Sequence, residues 1–125
     1  RYLEAKDSCP VGSGLWTRST ASAFAILRLK EGDEVVKPEW WNDEGLKALS
    51  ARVVRAAPND LAANHMRAEV LSGCGAAWEV GPRSAAELKE AAAFFDRTVA
   101  LLTAPAQKAL MAFKADWCRN HAAAM

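Results

Sequence analysis

Apolar residues recur at helical spacing along most of the chain, and turn-forming residues separate the stretches that carry this pattern. The clearest example is the segment 58–105, which is bounded by two prolines and divided by a glycine-rich connection over 73–83. In its second half, Leu88, Ala91 and Phe95 follow one another every three or four residues, which places them on one helix face. No stretch alternates between apolar and polar residues with a period of two, so no strand is predicted.

The pattern predicts an all-α chain of five antiparallel helices in up-down order, over residues 17–31, 42–57, 61–72, 85–102 and 106–121. We expect residues 1–16 to form an extended leader, residues 17–121 to form one helical domain, and residues 122–125 to fray. A chain of 125 residues is long enough to bury most of its apolar surface in a single domain.

Several helix ends are marked by local signals. Ser84 and Glu87 have the Ser-x-x-Glu spacing of a capping box, and Gly73 is a stop signal for the helix before it. Two earlier helix starts each leave a pair of capping residues open, namely Asn42 or Asp43 and Asn59 or Asp60. The connection that follows Gly73 carries Trp78 and Val80, and a loop this apolar is expected to fold back on the helices.

The overall charge gives no drive toward a particular class of partner. The chain has 16 basic and 15 acidic residues and a net charge of +1, so we expect no general attraction to nucleic acid or to anionic lipid. No apolar run approaches the ~20 residues that a membrane-spanning helix needs. We therefore expect an intracellular protein that is soluble or peripherally associated with a membrane.

The residues that most often carry catalysis or bind metals are sparse. Cys9, Cys74 and Cys118 are far apart and form no Cys-x-x-Cys motif, so neither a zinc site nor a redox motif is indicated. A bridge between Cys74 and Cys118 would require the last helix to pack near the 73–83 connection. Cys118 and His121 lie one turn apart, but a helix end is a poor setting for an activated nucleophile. We predict no enzyme, no metal and no cofactor.

The segment 58–105 resembles a unit of the tetratricopeptide-repeat family. Ala68 stands at the small position of the family's first helix, Ala91 and Phe95 have the small-to-aromatic spacing of its second helix, and Pro105 closes the unit. Asn64 stands where the family has tryptophan, and the unit is longer than the family's ~34 residues. The resemblance implies α-hairpins stacked as a fragment of a right-handed solenoid.

The amino-acid sequences of two segments also resemble alanine-rich modules found in many proteins of dinoflagellate algae. These segments are Arg55-Ala-Ala-Pro-Asn-Asp60 and Ala77-Trp-Glu-Val-Gly-Pro-Arg-Ser-Ala-Ala-Glu-Leu88. The resemblance brings no established activity. It implies a plastid or another organelle, with a targeting peptide removed, and the chain indeed begins at Arg1 without methionine.

A stacked hairpin array favours protein binding, because its curved surface presents the first helix of each pair to a partner. We predict a non-enzymatic adaptor or accessory subunit that binds another protein, including a large multi-subunit complex. Mixed basic and amide side chains would suit an acidic or carboxylate-ended peptide, and tryptophans near turns would anchor an interface. The predicted partner-binding residues are Arg18, Arg28, Trp40, Trp41, Asn64, His65, Arg67 and Trp78.

Two alternative functions stay open at this point. The first is a small ligand- or pigment-binding helical subunit attached to a membrane complex, such as one in a plastid, with His65 as the ligand. The second and more remote one is an enzyme that uses Cys118 and His121. Binding of single-stranded nucleic acid is not predicted, because the tryptophans lack a basic stripe beside them.

Overall fold

The computed structural model describes residues 20, 21, 24, 39–74 and 78–125. The predicted leader, most of the first predicted helix, and the predicted partner-binding residues Arg18 and Arg28 lie outside these residues. Thr20, Ala21 and Phe24 are helical and buried.

Within the described residues the fold contains four helices and no strand: α1 (Asp43–Ala56), α2 (Leu61–Ser72), α3 (Ala85–Leu101) and α4 (Pro105–Ala123). The all-α prediction is confirmed, and the bounds of these helices agree with the sequence to within two residues. Residues 122 and 123, which were expected to fray, are helical, and α4 runs through Ala123. Ala122 is buried against the core, and that burial holds the last turn. None of these helices is long and apolar enough to cross a membrane.

The helix ends lie where the local signals predict them, and the structure shows which of the two candidate residues caps α1 and which caps α2. Asn42, rather than Asp43, caps α1, and Asp60, rather than Asn59, caps α2; each side chain accepts from a backbone N–H of the first turn. Ser84 and Glu87 form the capping box of α3, with hydrogen bonds of 3.1 and 3.0 Å. Gly73 ends α2 with φ 72°, a left-handed conformation that favours glycine.

Two apolar clusters form the core, and α2 contributes to both. Met66 and Val70 pack with α1 and the aromatic residues before it, whereas Ala68 and Leu71 pack with α3 and α4. The extensive helix contacts join neighbours along the chain, α1 with α2, α2 with α3, and α3 with α4. A helix buried on two sides needs apolar residues around most of its circumference, and α2 has them.

An ion pair fastens the segment before α3 to both α1 and α2. The Arg83 guanidinium donates to both carboxylate oxygens of Asp43, at 2.6 and 2.8 Å. The same side chain donates to the Val70 and Leu71 carbonyl oxygens, at 2.9 and 2.8 Å, in the last turn of α2. The hydrogen bonds from Arg83, with a further one from Trp78 Nε1, hold the pKa of the Asp43 carboxyl well below its usual range.

Trp78 confirms that the long connection folds back on the helices. Its ring meets Trp41 edge-on at a centroid distance of 5.9 Å and lies 6.1 Å from the ring of Phe24. Phe24 in turn lies 5.7 Å from Trp41, so three aromatic side chains close one end of the α1 cluster. Their mutual packing holds Trp78 against this cluster.

Position 45 requires glycine because the Trp40 backbone lies too close to leave room for a Cβ atom. A Cβ atom at this position would lie 2.3 Å from the Trp40 carbonyl oxygen. Gly45→Ala should therefore lower the free energy of unfolding by about 1–3 kcal/mol, because the backbone before α1 must move. Helix propensity alone predicts the opposite effect of this substitution, an increase of about 1 kcal/mol in the free energy of unfolding.

Urea unfolding monitored by circular dichroism checks this expectation. Ala93→Gly, at an exposed position inside α3, is the control for ordinary propensity and should cost about 1 kcal/mol. A Gly45→Ala variant more stable than the wild type would show that the contact with Trp40 is unimportant.

The Asp43–Arg83 pair should make the free energy of unfolding depend on pH in the acidic range. The pKa of Asp43 is lower in the folded chain than in the unfolded chain, so its contribution is complete above the unfolded pKa of about 3.9 and is lost as pH falls below it. Asp43→Asn should cost about 1–3 kcal/mol at neutral pH. It should also flatten the decline in stability between about pH 5 and pH 2.

Urea unfolding at a series of pH values measures both effects. Asp116→Asn is the matched control, since Asp116 also contacts an arginine, Arg119, but is largely exposed. It should change the stability little at any pH. An Asp43→Asn variant that keeps the full acid slope of the wild type would contradict the assignment.

Candidate functional site

A cleft of about 510 Å³ lies between α2 and α4 and reaches the end of α3. Its apolar lining includes Leu61, Leu102, Leu110 and Met111, and its polar lining includes His65, Gln107 and Lys114. Such a combination of apolar walls with a few polar groups is typical of sites that bind a side chain or a small ligand.

Glu69 lies beneath this cleft and is completely buried. Its Oε1 atom accepts from Lys114 Nζ at 2.7 Å and lies 2.9 Å from His65 Nε2, whereas its Oε2 atom has no partner among the described residues. Burial alone raises the pKa of the Glu69 carboxyl, but the hydrogen bonds from His65 and Lys114 lower it further than burial raises it. The carboxylate is therefore ionised at neutral pH and holds α2 and α4 together.

The charges around the cleft favour a ligand that brings hydrogen-bond acceptors. Among the described residues, Glu69 is the one acidic residue in its lining, and its Oε1 atom already binds Lys114 and His65. A lysine ammonium has three N–H donors, so Lys114 keeps donors for another acceptor, and a quarter of its side chain remains exposed. A carboxylate placed within reach of Lys114 would accept from its ammonium group.

An apolar stripe on α4 adjoins the cleft. Leu110, Phe113 and Trp117 lie at i, i+3 and i+7, and their exposed fractions are 51, 68 and 37%. Trp117 stacks on His121 with a centroid distance of 4.1 Å. Leu110 belongs to both the stripe and the cleft, so the two form one apolar surface. Contiguous exposed apolar residues of this kind mark interaction sites.

Among the predicted partner-binding residues of α2, His65 lines the cleft, whereas Asn64 does not. The expectation that Asn64 is exposed is wrong: its side chain is fully buried, and its Nδ2 donates to the carbonyl oxygens of Pro58 and Asp60. It secures the turn before α2. Arg67 faces α1 instead, where Nη1 donates to the Lys47 carbonyl oxygen at 2.8 Å.

The three described tryptophans of the predicted interface support the core. Trp41 is buried, and Trp40 and Trp78 are partly buried against the same cluster. Of the predicted partner-binding residues that the structure describes, His65 is therefore the one that lines the cleft. Leu110 and Lys114 were not predicted from the sequence; the helical spacing of Leu110, Phe113 and Trp117 was the available signal for Leu110.

The thiols and histidines of the described residues form no metal site, since no three of the His, Cys, Asp and Glu side chains there are grouped to hold an ion. Cys118 and His121 contact different residues. Cys118 is buried within the apolar cluster of α2, α3 and α4, whereas His121 stacks on Trp117.

Comparisons of the chain with protein-family models, with curated proteins and with solved structures find no match. The tetratricopeptide-like and algal-module resemblances therefore stay predictions. A function for this chain has to be inferred from its own side chains and their geometry.

Removing the ammonium group of Lys114 should lower the stability of the fold, because the buried Glu69 carboxylate loses a hydrogen-bond donor. Lys114→Met leaves a buried carboxylate with His65 alone, and we expect a loss of about 1–3 kcal/mol at pH 7. The folded pKa of Glu69 then rises, so the variant's deficit relative to the wild type grows with increasing pH and is smaller near about pH 4.5.

The measurement is urea unfolding of the wild type and the variant at both pH values. Lys108→Met, on the same helix, is the matched control and should remain within about 0.5 kcal/mol of the wild type. A deficit that is equal at both pH values would contradict an ionised Glu69 as its cause.

Proposed function

We propose that this chain is a non-enzymatic protein-interaction module, an adaptor or accessory subunit of a larger assembly, and that it binds a segment of its partner in the cleft between α2 and α4. The observation that carries the proposal is the cleft itself, in which Leu61, Leu110 and Met111 surround the donors of His65 and Lys114.

The packing order supports a tetratricopeptide-like array. Each helix packs on its neighbours along the chain, and the helices share their cores in series, as stacked hairpins do. In such an array α2 and α4 are the first helices of consecutive pairs, which line the concave face. The cleft between these two helices then occupies the position at which repeat proteins of this kind bind peptides.

The chemistry of the cleft favours an acidic or carboxylate-ended segment that carries a large apolar side chain. The side chain would pack on Leu61, Leu110 and Met111, and the carboxylate would accept from Lys114. The stripe on α4 extends the apolar surface beyond the cleft. An apolar anchor beside a charge-assisted hydrogen bond supplies both affinity and direction.

The algal-module resemblance adds a compartment to the proposal, a plastid or another organelle. There the chain would act in solution or at the periphery of a membrane complex. A pigment or other small ligand held by His65 is less well supported, because Nε2 of its ring is already within hydrogen-bond distance of Glu69.

A peptide array tests the proposed function. Random peptides are synthesised in two forms, one with a free C-terminal carboxylate and one with an amide, and binding of the full chain is measured at low and high salt. We expect selected peptides to share an apolar residue near a carboxylate, and their binding to weaken as salt rises. Leu110→Ser should lower their affinity about tenfold or more, equivalent to about 1.4 kcal/mol.

Leu101→Ser is the matched control, because Leu101 is an exposed leucine on α3 that neither lines the cleft nor belongs to the stripe on α4. Its affinity should remain within about twofold of the wild type. Absence of any selected peptide, or an equal loss in both variants, would overturn the cleft as the binding site. Equal binding of the carboxylate and amide forms would overturn the proposed chemistry of the partner.

A further inference from the structure

A second groove lies between α1 and α3, and α2 contributes Arg67 to it. Two successive helical positions differ by about 200° around the helix axis, so Arg67 lies almost opposite His65, which lines the cleft. The groove has a volume of about 420 Å³. Its described lining includes three arginines, one acid and apolar side chains, namely Arg55, Arg67, Arg97, Glu90, Val54 and Phe94.

Arg67 is a largely buried cation whose charge the protein balances only in part. Its side chain is 13% exposed, and Nη1 donates to two neutral acceptors, the Lys47 carbonyl oxygen at 2.8 Å and Ser50 Oγ at 3.1 Å. Nη2 lies 3.6 Å from Glu90 Oε1, which is too far for a hydrogen bond. Burial lowers the pKa of the Arg67 guanidinium further than the neighbouring carboxylates raise it. An anion in the groove would supply the missing negative charge.

Arg97 and Arg55 add two guanidinium groups to the same groove. The Arg97 guanidinium lies over the Phe94 ring, with Cζ 5.3 Å from the ring centroid, and this contact orients it while its N–H groups stay available. Arg55 lies in the last turn of α1. Both residues are exposed, and neither forms an ion pair within the part of the chain that the structure describes.

We propose that this groove binds a phosphorylated serine or threonine side chain, presented on an extended segment of another protein. Three guanidinium groups beside one carboxylate leave a local excess of two positive charges, which matches the charge of about −2 on a phosphate monoester. Glu87 also acts on Arg67, but its carboxylate already binds Lys47 Nζ at 2.7 Å. Guanidinium groups bind phosphate oxygens through paired N–H donors, and clusters of arginines recognise phosphorylated segments in this way.

The shape of the groove favours a segment of chain over a small molecule. Beyond Arg97 the groove continues into a hollow of about 350 Å³ that includes Asn59, Ala100 and Leu101. Pro58 and Arg97 line both parts, so the two form one path that is open to solvent. Leu101 is exposed there and offers an apolar contact to a residue near the phosphorylated one. A free metabolite is more typically held in an enclosed pocket.

The groove is separate from the cleft between α2 and α4, because the two share none of their described lining residues. Recognition of a phosphate in the groove therefore does not depend on the proposed binding in the cleft. Leu110→Ser, which changes the cleft, should leave the affinity for phosphorylated peptides unchanged. The two sites can thus be tested independently.

Binding of the full chain to a peptide library tests the site. The peptides carry random residues around a central serine or threonine, which is phosphorylated in one form and unmodified in the other. We expect the phosphorylated form to bind at least about tenfold more tightly, with an affinity that falls as salt rises. Arg97→Gln should lower that affinity about tenfold or more. Lys89→Gln removes the same charge from an exposed position of α3 outside the groove and should change the affinity less than about twofold.

Glu90→Gln provides a readout that misfolding cannot imitate, because it should strengthen binding. Glu90 is the acid of the described lining and competes with the phosphate for Arg67. Its side chain is half exposed, so its removal should cost the fold little. We expect the affinity for the phosphorylated peptides to rise about threefold.

Equal binding of the phosphorylated and unmodified peptides would overturn the proposal. Equal losses in Arg97→Gln and Lys89→Gln would do so as well, since they would reduce the effect to general charge. Inorganic phosphate that competes with the affinity of the peptides would rule out an extended segment as the occupant. Binding to vesicles of phosphatidylcholine and phosphatidylinositol 4-phosphate, lost in Arg97→Gln and without binding of the peptides, would assign the groove to a membrane surface instead.

Discussion

Arg83 joins parts of the fold that the helices alone do not hold together. The last four carbonyl groups of a helix have no partner within it, and in α2 two of them, at Val70 and Leu71, accept from the Arg83 guanidinium. The same group binds Asp43 in the first turn of α1. A positive charge thus sits at the negative end of one helix dipole, and a negative charge at the positive end of another. The route of the chain into α3 follows from this pair.

Burial makes that pair specific as well as strong. A guanidinium taken out of water must bind acceptors with most of its donors or the desolvation cost dominates, and Arg83 reaches a carboxylate and three carbonyl oxygens. The desolvation cost of the buried Glu69 carboxylate is offset less completely. Lys114 and His65 bind one of its oxygens, while the other has no partner among the described residues. The first arrangement fixes the fold, and the second keeps an ionised group next to a cleft.

What the sequence predicted depended on how far apart the interacting residues lie. Helix bounds were predictable because caps and stops act over three or four residues, as in the Ser84–Glu87 box and the left-handed Gly73. The site was not, because the pairing of Glu69 with Lys114 joins helices that are distant in sequence and leaves no local signal. Asn64 shows the same limit: a polar residue on a helix was expected at the surface, but two carbonyl oxygens of the preceding turn required its amide inside.

The two faces of α4 differ in what covers them, and this difference bears on how the chain would be used. Met111, Ala115 and Cys118 face the core, while Leu110 and Phe113 on the other side are exposed. In a hairpin array the outer face of a helix receives the next hairpin or a partner, since each unit buries its apolar side on its neighbour. Leu110 also lines the cleft above Glu69. An occupant of that surface would therefore contact the helix that carries Lys114, so partner binding would act on the two helices, α2 and α4, that the Glu69–Lys114 ion pair joins.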